Sequence, residues 1–369
     1  MASIDKRGGR WRARYRTPDG ESRNKSFARK IDAERFLTSI EHLKLTGAYV
    51  DPSAGRVTFK EYAEKWRAMQ VHHRPTTAAQ VEGNLRRNAY PRLGSRPLAA
   101  VRQSEVQAWV KALSEDLGPG TVELVYRYVS TIFKAAVRDR LIVASPCVDV
   151  RLPERDTRRA DPPTLEAVEA LAGALPGRYR AMVPLAAGTG LRQGEVFGLT
   201  VDRVDFLRRT LTVDRQIVLV AGAPQFGPPK TKASIRTIPL PDVVGRELAA
   251  HIKAWPAGDG GLIFTTESGG ALRRTRFGEV WRNAVERAEL PKGTRFHDLR
   301  HFYASLLIRH GESVKTVQAR LGHASAVETL DTYGHVWPDS DDRTRQAVDD
   351  VLGGSSRVHG VSTEGATGA

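Results

Sequence analysis

Two arginines, a lysine, two histidines and a tyrosine carry the chemistry this 369-residue chain can offer. They are Arg192 in Gly-Leu-Arg-Gln-Gly-Glu, Lys230 in Pro-Pro-Lys-Thr-Lys, His297 and Arg300 in His-Asp-Leu-Arg-His, His323 in Leu-Gly-His, and Tyr333 in Tyr-Gly-His. Their types suit a phosphodiester. Two guanidiniums can bind its non-bridging oxygens and stabilise the charge that builds in the transition state, and arginine stays protonated throughout. Two other chemistries are set aside on spacing. The run Gly188-Thr-Gly190-Leu-Arg-Gln-Gly194 resembles a dinucleotide fingerprint, but its third glycine comes one residue late and no clear strand precedes it. His297 and His301 stand four apart as in a helical zinc pair, but Asp298 replaces the general-base glutamate and Arg300 lies between them. No metal and no other cofactor is expected. Cys147, the single cysteine, excludes an internal disulfide and a multi-cysteine zinc module, and reads as a small buried hydrophobe.

In this order, and with these flanking residues, the motifs resemble the tyrosine recombinases, the phage-integrase family, across roughly 145 residues. The resemblance implies a site-specific DNA recombinase, independent of metal and ATP, that cleaves and rejoins strands through a 3′-phosphotyrosyl intermediate. Tyr333 would be the nucleophile, with Arg192, Lys230, His297, Arg300 and His323 around the phosphate. An aryl phosphate is a good leaving group, so a bond stored on tyrosine can pass to a new 5′-hydroxyl. By the resemblance, Lys230 protonates the departing 5′-oxygen, while His297 and His323 serve proton transfer and hydrogen bonding to phosphate. A free phenol titrates near 10; the cationic cluster is expected to favour the phenolate and an imidazole to accept its proton. Lys232 is the alternative general acid. Tyr303 competes as nucleophile only in principle, because its ring falls beside an apolar stripe. Glu195, three residues after Arg192, is close enough to brace that guanidinium. On a helical wheel Arg300 and Ala304 fall within about 60° of His297, leaving Leu299, Phe302 and Leu306 for packing.

These groups need a scaffold, and the chain reads as multidomain, mainly α with a small β section. Residues 160–352 form a mixed α/β catalytic domain, whose β section spans roughly 210–239 and is rich in Val, Ile and Thr. Residues 57–148 read as an all-α domain, by the resemblance a SAM-like core-binding domain. Thr58 with Glu61 is a capping-box signature ahead of Phe59, Tyr62, Ala63 and Trp66; Ser104 with Gln107 repeats it ahead of Val106, Trp109, Val110 and Leu113. Thr76 to Tyr90 reads as a helix ended by Pro91, and residues 120–139 as a longer one. Residues 148–162, with Pro153, Pro162 and mixed charge, read as a linker. Residues 1–50 form a small sheet packed on one helix, by the resemblance an arm-type DNA-binding domain. There Arg10, Arg12, Arg14 and Arg16 alternate with Trp11, Ala13 and Tyr15, Pro18-Asp19-Gly20 turns the chain, and a second strand from Glu21 to Phe27 carries Arg23 and Lys25. Ala33, Phe36, Leu37, Ile40 and Leu43 follow at helical spacing, with Gly47 as a stop. The four arginines, in register and without an acidic partner, are candidates with Arg23 and Lys25 for contacting DNA phosphates or base edges. Residues 353–369, rich in Gly, Ser and Thr, are expected to be a disordered tail.

The charge agrees. Lys and Arg number 57 against 42 Asp and Glu, a net +15, with 12 basic and 6 acidic residues in positions 1–50. Such a balance points to a polyanion, nucleic acid before a membrane surface. No apolar run approaches the roughly 18–20 residues of a spanning helix, and the start lacks a signal-peptide apolar region, so a cytoplasmic protein with no membrane partner is expected. The 40% hydrophobic and 27% charged residues are ordinary for a globular protein and speak against wholesale disorder and a fibrous repeat. By the resemblance the partners are double-stranded DNA attachment sites of core and arm type, and four protomers on two duplexes that exchange a segment after Tyr333, with Val336 to Leu352 as the candidate. A host DNA-bending protein and a recombination directionality factor are further candidates. The N-terminal module favours the integrase of a phage or integrative element over a chromosome-dimer resolvase or a strand-nicking topoisomerase. A DNA-binding regulator without chemistry would show decay at a catalytic position, and none is seen; a metal-dependent nuclease would show a carboxylate cluster.

Overall fold

The computed structural model describes the chain except for residues 1, 19, 48, 52, 155–161, 221, 335–340 and 355–369. Asp19 of the expected turn, residues 155–161 of the expected linker, the start of the candidate exchanged segment and all but the first two residues of the expected tail therefore lie outside the described residues. The chain divides into two compact units, Met1–Arg158 and Arg159–Ala369.

In the first unit, β1 (Ser3–Arg7), β2 (Arg10–Arg16) and β3 (Ser22–Phe27) form an antiparallel sheet in that order, followed by α1 (Lys30–Leu45). Alternation along β2 works as expected, because Ala13 and Tyr15 turn inward and pack with Ala33, Leu37, Ile40 and Tyr49. Three details differ from the sequence reading. Strand β1 adds a third strand, and it brings Asp5 opposite Arg12, where the carboxylate binds both Arg12 and Arg14. The arginine row thus has an acidic partner. Arg23 and Lys25 pair across the ladder with Tyr15 and Ala13, so they lie on the helix side of the sheet rather than beside the arginines. Arg23 there reaches Asp51 and Ser53, and Lys25 lies over the rings of Phe27 and Phe36.

The helical part begins with α2 (Phe59–Ala68), which Thr58 and Glu61 cap as expected. Next come α3 (Pro75–Asn84), a π turn over Leu85–Ala89, and α4 (Tyr90–Leu93). Pro91 does not end the run: it sits in the first turn of α4, where a missing N–H costs nothing. Helix α5 (Gln103–Asp116) has its cap at Arg102, two residues before the expected Ser104, because the Glu105 carboxylate accepts the Arg102 backbone N–H at 3.1 Å. A carboxylate serves a helix N-terminus better than the neutral Gln107 amide. Helix α6 (Pro119–Arg138) completes the set, with Phe133 stacked on Phe59 at 5.2 Å and Cys147 buried nearby.

The second unit runs α7 (Leu165–Ala174), α8 (Gly177–Arg180), α9 (Met182–Thr189) and α10 (Gln193–Phe197), then β4 (Val204–Asp205), β5 (Thr210–Val213), β6 (Gln216–Val220), β7 (Ala223–Gly227) and β8 (Arg236–Pro239). Strands β4, β5 and β8 form one sheet and β6 with β7 a hairpin. After them come α11 (Asp242–Ala254), α12 (Arg274–Arg287), α13 (Asp298–Arg309), α14 (Val314–Leu321), α15 (Ala326–Tyr333) and α16 (Asp341–Gly354). Gly353 and Gly354, assigned to the tail from sequence, close α16. The main core gathers Leu171, Met182, Leu185, Phe197, Phe264, Phe277 and Leu299 among others. A smaller one joins Tyr303, Ala304, Ile308, Val317, Leu321 and Tyr333. Helix α13 therefore packs on a face that includes Arg300, Tyr303, Ala304 and Ile308, while Leu306, expected to pack, is exposed. The reason is that α9 and α14 both lie against the arginine side of this helix. No helix among the described residues is long and apolar enough to cross a membrane.

Candidate active site

Two helices end in left-handed glycines, and both glycine carbonyls point at arginines. Gly190 closes α9 at φ +65 and accepts Nη1 of Arg300 at 2.7 Å; Gly322 closes α14 at φ +64 and accepts Nη2 of Arg192 at 3.3 Å. A side chain is crowded at both places, since a Cβ would stand 2.5 Å from the Tyr303 ring at Gly190 and 3.0 Å from the Ala233 carbonyl at Gly322. The Leu321 carbonyl takes Nη2 of Arg300 at 2.6 Å. Arg300 is buried, and burial followed by the nearby Arg192 charge lowers its pKa below the usual arginine range, still well above neutrality.

Arg192 precedes α10, and Glu195 accepts both its backbone N–H at 2.9 Å and its Nη1 at 3.0 Å; Ser234 Oγ accepts Nη1 as well at 3.1 Å. The buried Glu195 carboxylate has a second cation, Arg236 on β8, at 2.9 Å. Arg236 also donates to the Arg320 carbonyl at 2.8 Å, tying β8 to the end of α14. Burial raises the Glu195 pKa, but Arg236 and then Arg192 more than offset it, so the group sits below its ordinary value and remains a carboxylate.

Tyr333 ends α15 and is buried; its hydroxyl shares a hydrogen bond of 2.9 Å with Nδ1 of His301. The His301 ring meets His297 edge-on at 5.0 Å, and the His323 ring lies parallel to Tyr333 at 6.5 Å. Thr329 Oγ1 bonds Nδ1 of His323 at 2.9 Å. Burial pushes the phenol up to about 12, outweighing the downward pull of Arg300 and Arg192. The cationic cluster pulls toward the phenolate as expected, but desolvation of the charged form outweighs it in this arrangement. His297, His301 and His323 all fall below the ordinary imidazole value, first through desolvation and then through neighbouring charge, chiefly His301 and Arg300 for His297 and Arg300 for His323. His297 is partly exposed, so its cationic neighbours are the firmer cause. At neutral pH the three rings are uncharged, each with one nitrogen free to accept.

Arg192, Glu195, His297, Arg300, His323 and Tyr333 are thus brought together. Lys230 and Lys232 are not: both are exposed between β7 and β8, and among the described residues no hydrogen bond or ion pair joins either to the cluster. Their loop is nevertheless anchored there, because Thr231 and Ser234 share a hydroxyl bond of 2.9 Å and Ser234 holds Arg192. A separate cleft lined by Arg178, Trp255, Arg273 and Phe277 holds none of these residues. Sequence reasoning missed His301, Arg236, Ser234 and Thr329. The i, i+4 step from His297 was a usable signal for His301; for the others there was none, since their partners are distant in sequence. Among the described residues no group of three or more His, Cys, Asp or Glu side chains is placed to hold a metal ion.

Three family models match in succession: the phage integrase N-terminal domain over residues 3–46, the phage integrase central domain over 59–152 and the phage integrase family over 164–339. A tyrosine recombinase XerC-like protein of Caldanaerobacter subterraneus subsp. tengcongensis is 26% identical over 371 residues, spanning 91% of this chain and 94% of the relative. The integrase of Mycobacterium phage D29 is 28% identical over 338 residues, 86% of this chain and 88% of its own. Among solved structures, the integrase of transposon Tn1549 in complex with a circular intermediate DNA shares the fold with a TM-score of 0.69 at 24% identity, covering 80% of this chain and 99% of that one. The chain belongs to the phage integrase family. It is a tyrosine-type site-specific recombinase of the phage or mobile-element kind.

Proposed function

We propose that Tyr333 attacks a DNA phosphodiester held by Arg192 and Arg300, giving a 3′-phosphotyrosyl enzyme from which the strand is passed to a new 5′-hydroxyl. The observation that carries this reading is that motifs from α9–α10, α13 and α14–α15 converge on one buried tyrosine hydroxyl, with two guanidiniums and three imidazoles around it. Guanidiniums braced by Glu195 and by carbonyls need no reorganisation when charge develops on phosphate. Lys230, or in its place Lys232, protonates the leaving 5′-oxygen from the loop that Ser234 anchors. His297 and His323 hydrogen-bond the phosphate.

On this reading residues 1–50 address arm-type sites through Arg10, Arg12, Arg14 and Arg16, residues 57–148 hold core-type sites, and residues 160–352 perform the reaction, with four protomers on two duplexes in the cytoplasm. A host DNA-bending protein and a directionality factor would set the direction.

The test is a nicked suicide duplex carrying the attachment site, incubated in EDTA and run on a denaturing gel. Wild type becomes covalently attached to DNA and Tyr333→Phe does not; trapping of the phenylalanine variant would overturn the assignment.

A further inference from the structure

We propose that His301 is a catalytic residue: its Nδ1 takes the Tyr333 proton as the phenol oxygen attacks phosphorus and returns it when the strand is rejoined. This rests on Tyr333 being the nucleophile.

The argument is one of position. Nδ1 of His301 lies 2.9 Å from the reacting oxygen, within the reach a general base requires. Neither other imidazole is so placed. His323 has its Nδ1 committed to Thr329 at 2.9 Å, its Nε2 facing Glu328 at 3.8 Å, and its ring plane parallel to the phenol rather than aimed at the hydroxyl. His297 meets His301, not Tyr333, and is exposed. In the Nε2–H tautomer of the neutral imidazole the shared hydrogen bond runs from Oη–H to Nδ1, the direction the transfer needs.

The step balances within the site. The Oη–H bond breaks as Nδ1–H forms, the Oη–P bond forms as P–O5′ breaks, and the 5′-oxygen takes its proton from the lysine loop. Rejoining reverses each change. The groups facing His301 are Asp298, Arg300 and His297 from its own helix and its cap, Arg295 just before, and Tyr333 from α15. The Asp298 carboxylate favours the imidazolium that forms, while Arg300 and Arg295 oppose it and return the proton readily.

The experiment uses the full chain on the nicked duplex, with single-turnover cleavage followed from pH 6 to 10 and DNA affinity measured alongside. In His301→Asn the side-chain oxygen can accept the phenol hydrogen bond but cannot carry the proton; His301→Ala removes both. Both variants should bind DNA as wild type does and cleave about 10²–10³-fold more slowly at pH 7. Their rates should climb steeply toward pH 10 as hydroxide replaces the base, and added imidazole should restore part of the rate to His301→Ala. Cleavage by His301→Asn within a few-fold of wild type would overturn the proposal, as would faster cleavage by His301→Ala, the mark of a latch that merely holds the tyrosine. Tyr333→Phe run in parallel separates the two levels: if it is trapped, the nucleophile is wrong, and if it is not while His301 variants cleave normally, only the base is wrong.

Discussion

The carboxylate of Glu195 holds Arg192 at both ends, accepting its backbone N–H on one oxygen and its guanidinium on the other. Arg192 thus leaves α9 with its backbone and its side chain fixed by one group. That group is itself buried and shares its charge with Arg236.

Removing one partner of a buried pair leaves an uncompensated charge, at a cost of about 3–5 kcal/mol. Arg236→Met leaves Glu195 with Arg192 alone, so it should lower the unfolding free energy obtained from urea titration by up to that much and slow cleavage by misplacing Arg192. The double variant Glu195→Leu/Arg236→Met should regain most of the stability but not the cleavage rate. Recovery of both together would show that the brace serves folding alone.

Gly190 and Gly322 allow no side chain without moving a neighbour, and a non-glycine residue in their left-handed conformation adds about 1–3 kcal/mol. At Gly322 the neighbour is backbone of the Ser234 turn, which cannot swing aside. Gly322→Ala should lower cleavage at least tenfold with core-site affinity retained, measured by suicide-substrate trapping and gel shift. Equal rates would mean that the turn relaxes freely.

Stability should depend on pH in two windows. His323 and His297 are held down to about 4 against 6.5 for the free imidazole, so the folded chain binds fewer protons than the unfolded one between these values. Their contribution is complete above pH 6.5 and is lost as pH falls through 4. Tyr333, pushed up to about 12, contributes fully below pH 10 and loses that contribution as pH rises toward 12. Differential scanning calorimetry should show Tm falling on both sides, with a shallower acid limb in His323→Asn and a shallower alkaline limb in Tyr333→Phe. Limbs as steep as wild type in these variants would refute the assignment.

In the N-terminal sheet, Asp5 neutralises part of the row it faces. Arg10→Ala and Arg16→Ala should each reduce the slope of log K against log salt for arm-site DNA by about 0.9, one phosphate contact apiece. Asp5→Asn should tighten binding and steepen the slope. Arg23→Ala, whose partners are Glu21, Asp51 and Ser53, should change Tm and not the slope. Deleting residues 1–50 should spare core-site cleavage and abolish integration; equal loss of both would count against a separate addressing role.

What could be read from sequence was whatever repeats locally. The alternation of β2, the Thr58 cap and the helical spacing of α1 and α6 depend on neighbours a few residues away, and the order of the Arg, His and Tyr motifs identified the reaction. What escaped was set by contacts across the fold. Asp5 meets Arg12 only because β1 pairs with β2, and its segment Ser-Ile-Asp-Lys-Arg shows no alternation to announce a strand. Arg236 finds Glu195 from 41 residues away. Pro91 reads as a helix end from sequence because nothing local reveals the π turn before it. The raised phenol needed the burial of Tyr333 in the small core, which no spacing rule records.

The two arginines hang on main-chain carbonyls at the ends of α9 and α14, and a carbonyl is the same whatever side chain its neighbours carry. Retargeting this recombinase to a new attachment sequence can then proceed by broad randomisation of surface positions, provided Gly190 and Gly322 and the exposed Lys230, Lys232 and His297 are left alone. A library that varies the chosen surface freely while freezing those positions should keep a high fraction of members able to cut DNA.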